Sequence, residues 1–196
     1  MEDNARVILQ TFIAQFDALT DEEKEMIADN LVVEAYPKGK VLVKAGEVCS
    51  KCYFVLKGCL RQYMMVDDVE KTTQFFTENE AAVLFTSYTN QTRSESFLSC
   101  VEDTVVILGD MNEEAAMYEK FPKLQQITRA MMEQDFGKTQ DHLSRFIAST
   151  AEERYLNLME TRPDLLQRVP LNQLASYIGI TPESLSRIRK RIQKSS

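Results

Sequence analysis

The hydrophobic pattern near the C-terminus predicts two short helices that meet across a tight turn. Apolar residues recur through Leu171–Ile178 at i, i+3, i+4 and i+7, the period of a helix with one buried face. Gly179 can adopt the left-handed conformation that ends such a helix, and Thr181 and Pro182 supply an N-cap and a first helical residue for the next one. Ala175 is small where two crossing helices would approach closely. This pattern is typical of a helix-turn-helix.

The second helix separates an apolar face from a basic one. At roughly 100° per residue, Leu185, Ile188 and Ile192 share one side, and polar residues occupy the other. Arginine can bridge guanine O6 and N7, glutamate can accept from cytosine N4, and lysine neutralises phosphates. The residues that we predict to bind DNA are Thr181, Glu183, Ser184, Ser186, Arg187, Arg189, Lys190 and Lys194. The alternative is an ordinary surface helix pair with a solvated basic face.

The first half of the chain has a different pattern, made of short β runs separated by glycine and charged turns. After a helix over 5–16 and a capping box at Thr20 and Glu23 that opens another, the runs are LVVEAY, KVLVKA, CYFVLK, CLRQYMMV, KTTQFF, SFLSC and TVVIL. Lys38-Gly39, Lys57-Gly58 and Asp67-Asp68 are among the predicted turns. Seven runs at this spacing predict an antiparallel barrel or sandwich.

A long helix is predicted between the β runs and the helix pair. Asp110 with Glu113 marks one helix start, and Pro122 suits the first turn of a helix that reaches about Phe146. This helix carries more apolar surface than a lone solvated helix, so something must pack on it. The apolar residues are Leu124, Ile127, Met131, Met132, Phe136, Leu143, Phe146 and Ile147. A shorter helix over about 151–160 follows and is broken at Arg162-Pro163.

Charge is distributed unevenly along the 196 residues, whose net charge is −7. Residues 1–119 hold 10 Lys/Arg and 22 Asp/Glu, a net charge of −12, whereas residues 120–196 hold 13 and 8, a net charge of +5. From Arg168 onward there are six basic residues and one acidic residue, Glu183. A DNA footprint would therefore be confined to the tail, and the acidic front should repel DNA.

This order of elements resembles the bacterial Crp/Fnr family of transcription regulators. The residues that resemble the family's glycine-punctuated β-roll are Gly39, Gly46, Tyr53-Phe-Val-Leu56, Gly58 and Arg61. Those that resemble its DNA-binding helix pair are Leu174-Ala175, Gly179, Thr181 and Ser184-Leu-Ser-Arg187. The resemblance implies an α+β fold with an antiparallel β-roll sensor domain (a double-stranded β-helix, jelly-roll-like), a long dimerisation helix and a C-terminal winged-helix-type helix-turn-helix. The corresponding domains are residues 1–118, 119–147 and 148–196.

The resemblance also implies partners and roles. It implies a homodimer through residues 121–147 that binds double-stranded DNA at two half-sites about one helical turn apart. RNA polymerase and a small-molecule effector are further expected partners, and no cofactor or enzymatic activity is expected. Glu183 and Arg187 match the family's base-reading positions, with Ser186 beside them, while Pro182 stands where the family often has a basic residue. Because few residues follow Ile192, any wing strand is expected before the recognition helix, near Val169-Pro170.

The β-roll departs from family members that bind cyclic nucleotides. Those members carry a Gly-Glu pair about ten residues before an Arg-Ser or Arg-Thr pair. Here Arg93 and Ser94 match the second pair, but Ala82 and Val83 stand in place of the first. Valine cannot accept a ribose hydrogen bond, and the neighbouring carboxylate of Glu95 opposes a phosphate. We therefore expect a degenerate site that does not respond to cAMP or cGMP, with Arg93 in a structural ion pair.

The four cysteines give a second candidate site. Cys49, Cys52, Cys59 and Cys100 form C-x2-C-x6-C with a distant fourth, which is similar to the iron–sulfur spacing of oxygen sensors in the family. The family's cluster cysteines lie mostly before the barrel, and an intracellular C-x2-C is also compatible with redox activity or zinc. The alternative, which we favour, is that these are small core residues and that no metal is bound.

Other features limit the class of protein. No run of eighteen apolar residues is present, and MEDNARVILQTF lacks the basic-then-apolar order of a signal peptide, so a cytoplasmic protein without membrane contact is expected. His142, the single histidine, has no nucleophilic or acidic motif beside it, which argues against an enzyme. The rival interpretation is a small-molecule or redox-sensing protein whose basic tail contacts protein.

Overall fold

The computed structural model describes the backbone of residues 2–195 and the side chains of residues 5–193. Two helices come first, α1 (Glu2–Ile13) and α2 (Asp21–Asn30). The predicted capping box opens α2: the Glu23 amide donates to Thr20 Oγ1 (3.2 Å), and the Thr20 amide donates to the Glu23 carboxylate (2.8 Å). Both helices cover one face of the roll, where the Phe12 ring lies 5.0 Å from that of Phe54.

Eight strands follow in the described chain and confirm the predicted antiparallel roll. They are β1 (Val32–Tyr36), β2 (Val41–Val43), β3 (Cys52–Lys57), β4 (Leu60–Val66), β5 (Val69–Phe76), β6 (Ala81–Ala82), β7 (Ser96–Cys100) and β8 (Thr104–Gly109), with helix α3 (Phe85–Asn90) between β6 and β7. The two four-stranded sheets have the orders β1-β8-β3-β6 and β2-β7-β4-β5. Each predicted run forms a strand, and the two-residue β6 is additional.

The turns between strands explain two features of the sequence. Asp67 and Asp68 both have positive φ (50° and 59°), the conformation that a two-residue hairpin loop needs to match the twist of its strands. Gly58, between β3 and β4, has φ +108°, and a Cβ there would lie 2.6 Å from Thr104 Oγ1 and 2.7 Å from the Asp103 carbonyl oxygen. The β3–β4 turn therefore requires glycine.

Six helices complete the described chain: α4 (Met111–Lys120), α5 (Pro122–Ala148), α6 (Ala151–Thr161), α7 (Pro163–Arg168), α8 (Leu171–Tyr177) and α9 (Pro182–Ser195). We call α6–α9 the C-terminal module. Asp110 caps α4 by accepting from the amides of Asn112 and Glu113, as its position predicted. The wing strand expected near Val169-Pro170 is wrong, because these two residues only link two helices: α7, which the sequence did not predict, ends at Arg168, and α8 begins at Leu171.

Three hydrophobic clusters hold these elements together. One fills the space between the two sheets, and a second packs α1 and α2 on the outer face of β3 and β8 together with the first turns of α5. The third is the core of the C-terminal module, but it also includes Cys59, Phe75 and Val101 from the roll. The module therefore packs directly on the roll. None of the described helices is long and apolar enough to cross a membrane.

Candidate nucleic-acid interface

The turn between α8 and α9 is closed by a Schellman motif. The Ile180 amide donates to the Ala175 carbonyl (2.9 Å), and the Gly179 amide donates to the Ser176 carbonyl (3.1 Å). Gly179 has φ +76°, and a Cβ there would come within 3.1 Å of the Arg154 guanidinium and 3.3 Å of the Phe146 ring. Glycine at this position thus allows the left-handed backbone conformation and leaves room for Phe146 of α5 and Arg154 of α6 to pack closely on the turn.

Helix α9 begins with side-chain capping at Thr181. The Ser184 amide donates to Thr181 Oγ1 (3.3 Å), and the Leu185 amide donates to the Thr181 carbonyl (3.0 Å). Donation from its own backbone N–H is the main cause that lowers the pKa of Glu183, and Arg187 adds to it. Glu183 is therefore an anion at the start of the helix, where the helix dipole favours negative charge.

The apolar face of α9 is buried, as predicted. Leu185 is fully buried, Ile188 is 8% exposed, and both lie in the same cluster as Leu174 and Ala175 of α8. Ala175 is also fully buried, which agrees with the close approach that its small side chain predicted. The opposite face of α9 is consequently fixed toward solvent.

The predicted DNA-binding residues lie on that solvent side or at its edge. Thr181, Glu183, Arg187, Arg189 and Lys190 are exposed, and Ser184 and Ser186 are half-buried. Lys194 falls in the last turn of α9, and its side chain lies outside the described ones. Arg191, which was not among the predicted contacts, forms an ion pair with Glu152 of α6. The exposed face combines cations with one carboxylate near its N-terminal end.

The end of α5 supports the helix pair from behind. Arg154 of α6 donates to the carbonyl oxygens of Phe146 (2.9 Å) and Ile178 (3.2 Å), and its guanidinium lies 3.8 Å from the centre of the Phe146 ring. The His142 ring stacks on Tyr177 of α8 at 5.2 Å and 3°. Sequence reasoning did not identify these contacts, since their partners are distant in the chain. They fix the helix pair to α5.

Four residues of α5 form an apolar stripe that is uncovered in the single chain: Met132, Phe136, Leu143 and Ile147. Phe136, Leu143 and Ile147 fit the d, d and a positions of a heptad repeat, and Met132 lies beside them at a g position. Phe136 is 65% exposed and Ile147 is 73% exposed, whereas Leu124 and Ile127 of the first turns pack against the roll. The stripe lies on the helix that the sequence predicts to mediate dimerisation, and it is exposed in the single chain.

The residues of the degenerate cyclic-nucleotide site differ in solvent exposure: three of them are buried, and Arg93 is exposed. Ala82 and Val83 are buried, with Ala82 in the core between the sheets. The buried Ser94 hydroxyl donates to the Ser96 carbonyl and accepts from its amide, so its hydrogen bonds are local. The expected ion pair of Arg93 is wrong: its side chain is exposed and pairs with no acid among the described residues. The reason is that Arg93 lies in a surface turn, held by a backbone bridge to Val48.

The four cysteines do not form one site. Cys49 and Cys100 lie in the core between the sheets, whereas Cys59 belongs to the cluster shared with the C-terminal module. Burial raises the pKa of the Cys52 and Cys59 thiols to about 12, that of Cys100 to about 11, and that of Cys49 above its usual range. In the described part of the chain, no group of three or more His, Cys, Asp or Glu side chains is placed to hold a metal ion.

Comparisons with known proteins found similar chains, among them proteins named as regulators. No protein-family model matches the chain. The chain is 25% identical over 191 residues to the "Anaerobic regulatory protein" of Haemophilus influenzae, covering 90% of this chain and 73% of that protein.

Solved structures agree in fold. A variant of CooA from Carboxydothermus hydrogenoformans matches with a TM-score of 0.70 at 16% identity, covering 90% of this chain and 82% of the other. A protein described as a transcriptional regulator of the crp/fnr family from Eubacterium rectale matches with a TM-score of 0.63 at 17% identity, covering 91% and 86%. At these identities the structural matches establish the shared roll-and-helix fold.

Proposed function

We propose that this chain, a Crp/Fnr-type protein in sequence and fold, regulates transcription by binding specific DNA sequences. The observation that carries the proposal is the exposed basic face of α9, presented by a capped helix-turn-helix on a chain that is otherwise acidic. Arg187 and Lys190 lie on this face, and Glu183 stands near its start. A helix of this kind can enter the major groove, where the edges of the base pairs are distinguishable.

The proposal includes a homodimer in which residues 121–147 of two copies pair. The apolar stripe of α5 supports this, because large apolar side chains exposed in a heptad pattern gain free energy when a second helix covers them. We assign residues 1–118 to the sensor roll, 119–147 to the dimerisation helix and 148–196 to the DNA-binding domain. RNA polymerase, a small-molecule effector, a cytoplasmic location and the absence of catalysis belong to the same proposal.

The effector is proposed not to be a cyclic nucleotide. Ala82 and Val83 offer no side-chain acceptor for a ribose hydroxyl, and the Ser94 hydroxyl already bonds within its own turn. We expect isothermal titration of the purified protein with cAMP and with cGMP to give no binding heat at micromolar ligand. Micromolar binding of either nucleotide would contradict this assignment.

Selection from a random pool of double-stranded DNA tests the proposed function. The purified protein should enrich a defined sequence, and its affinity should fall steeply as salt rises, with a slope of about −0.9 per phosphate contact in a plot of log K against log salt. Enrichment of no sequence would overturn the proposal.

A pair of double variants shows whether α9 is the DNA-binding surface. Arg187→Ala with Lys190→Ala removes two cations from α9, and Lys40→Ala with Lys44→Ala removes two exposed cations from the roll. Both change the net charge equally. We expect the α9 variant to lose DNA binding and the roll variant to retain it, whereas equal loss in the two would indicate a general charge effect.

A further inference from the structure

The C-terminal module rests on the roll of its own chain through contacts that are independent of α5. The Tyr177 ring of α8 meets the Phe75 ring of β5 edge-on, with ring centres 5.1 Å apart. Arg162, at the start of α7, donates to Thr77 Oγ1 (2.9 Å) and lies 3.5 Å from the Glu80 carboxylate. These contacts join residues that are 82 or more positions apart in the sequence.

Arg168 makes the strongest polar contact of this boundary. Its Nη1 and Nη2 donate to the two oxygens of Glu78 (2.8 and 2.9 Å), and its Nε donates to Glu102 Oε1 (2.9 Å). Glu78 also accepts from the Gly58 amide (2.8 Å). We call Arg168, Glu78 and Glu102 the Arg168 clasp. A guanidinium fork paired with two carboxylates is among the stronger and more directional polar contacts in proteins.

Ser176 makes a second polar contact, with the edge of a sheet. β5 is the last strand of its sheet, so its outer backbone groups have no partner strand. The Thr72 amide donates to Ser176 Oγ (2.9 Å), and that hydroxyl donates to the Glu70 carbonyl (3.0 Å). One serine of α8 thus completes the hydrogen bonding of two β5 residues and fixes the position of α8 along the strand.

These contacts leave the proposed DNA-binding face open. Arg187, Arg189 and Lys190 are exposed, and the hydrogen bonds and ion pairs to the roll come from α7, α8 and the residue before α7. The packing against the roll therefore fixes the orientation of α9 without covering it. A contact of this kind is suited to positioning a recognition helix.

We propose that Arg168 and Ser176 are positioning residues for DNA binding, which hold α9 at a fixed angle on the roll of the same protomer. The inference rests on the proposed function. Two half-sites are bound together only if both recognition helices are already at the right separation and angle, since this sets the effective concentration for the second contact. Without the guanidinium, the Glu78 and Glu102 carboxylates repel each other, and the module gains freedom to rotate.

Affinities for full and half operators provide the test. We compare Arg168→Met and Ser176→Ala with wild type, using the selected two-half-site DNA and a DNA that retains one half-site. Arg6→Met is the matched control, because Arg6 also pairs with a carboxylate, Asp29, but lies on α1. We expect Arg168→Met to lower full-site affinity by about tenfold or more and to leave half-site affinity unchanged, with a smaller effect of the same kind for Ser176→Ala.

Amide hydrogen exchange reports the same contact without DNA. The Thr72 amide should exchange faster in both variants than in wild type and Arg6→Met, while amides in the middle of α9 keep their protection. If wild type binds no DNA, the proposed function fails. If wild type binds DNA and the ratio of full-site to half-site affinity is unchanged in both folded variants, or rises, the positioning role alone is overturned.

Discussion

Arg187 is the residue that best separates base reading from phosphate neutralisation. It lies exposed on α9, one turn after Glu183, and its positive charge contributes to lowering the pKa of the Glu183 carboxylate. We expect Arg187→Ala to cost about 1–3 kcal/mol at the selected site and to relax the preference at one base pair, because a bidentate contact to a base would be lost. Binding constants for the selected site and its single-base variants measure both effects.

Lys190→Ala is the matched comparison on the same exposed face. If Lys190 contacts phosphate, this variant should weaken all sequences alike and reduce the salt slope by about one. Arg187 would have no base-reading role if Arg187→Ala kept the wild-type discrimination at every base pair.

His142 adds a pH dependence at the contact between α5 and α8. Loss of water around its ring, which stacks on Tyr177, and the nearby charges of Arg162 and Arg145 lower its pKa. As the pH falls, His142 is therefore protonated in the unfolded chain before it is protonated in the folded chain. The contribution of neutral His142 to stability is complete above about pH 6.5 and is lost as the pH falls from there through the folded-state pKa.

The variant His142→Phe keeps an aromatic ring against Tyr177 but cannot titrate. We expect wild type to lose more free energy of unfolding than this variant between about pH 7.5 and pH 5.5, measured by urea unfolding at one protein concentration. Because His142 is the single histidine of the chain, the comparison isolates it. Equal losses in the two proteins would show that the ring makes no pH-dependent contribution.

At the scale of elements, the apolar stripe of α5 makes a prediction about assembly. Phe136 is 65% exposed in the single chain, and Phe136→Asp places a charge in the seam that a second α5 would cover. Each buried large apolar side chain contributes about 1.5–3 kcal/mol, and a dimer contains two copies. We expect Phe136→Asp to be monomeric in sedimentation equilibrium at concentrations where wild type is a dimer.

Gln134→Asp is the control for this variant. Gln134 is exposed on the same helix, two residues before Phe136 and outside the heptad seam. The variant Gln134→Asp introduces the same charge as Phe136→Asp but places it outside the seam. It should therefore leave the association constant of the dimer nearly unchanged. Equal sedimentation of Phe136→Asp and wild type would mean that α5 is not the dimer contact.

The sequence predicts elements well where their signals are local. The capping box at Thr20, the proline that opens α5 and the glycine that ends α8 each act within one turn, and all three lie where the pattern placed them. Helix α7 was not predicted, because six residues between Arg162 and Val169 are too few for an apolar period to appear. The ion pair expected for Arg93 was wrong for a related reason: its sequence neighbours do not determine what its side chain meets.

The contacts between the roll and the C-terminal module could not be predicted from the sequence. Arg168 meets Glu78 and Glu102 across 90 and 66 positions, and no local pattern pairs one arginine with two particular carboxylates among 30 acidic residues. The sequence predicted the recognition helix and its exposed residues. It did not predict which surface holds that helix in place, since this depends on how the two parts of the chain pack together.

For the whole molecule, the uneven charge along the chain has two consequences. Arg162 and Arg168 belong to the basic tail but pair with Glu80, Glu78 and Glu102 of the acidic front, so part of the charge difference holds the molecule together. The exposed cations Arg187, Arg189 and Lys190 of α9 take no part in these pairs. The net charge of −12 on residues 1–119 repels phosphate, which favours approach of DNA to the tail alone.

A dimer with two fixed recognition helices should accept one spacing of half-sites. Both α5 and the Arg168 clasp restrain α9, so the two helices of a dimer cannot rotate independently to follow a displaced half-site. Half-sites read by such dimers lie roughly 10–10.5 base pairs apart, centre to centre. Inserting about five base pairs between them turns one half-site to the opposite side of the duplex. We expect this insertion to reduce affinity to that of a single half-site, measured by electrophoretic mobility shift at constant salt.

An operator of unchanged length, with the same bases substituted in the central segment, controls for the change of sequence between the half-sites. It should bind as the selected site does, because a rigid dimer responds to the spacing and angle of its half-sites. Equal affinity for the lengthened and the unchanged operator would require a module tethered flexibly to α5 and to the roll. That result would conflict with the contacts of Arg154, His142 and Arg168. The spacing experiment thus tests whether the single-chain packing seen here is the arrangement that meets DNA.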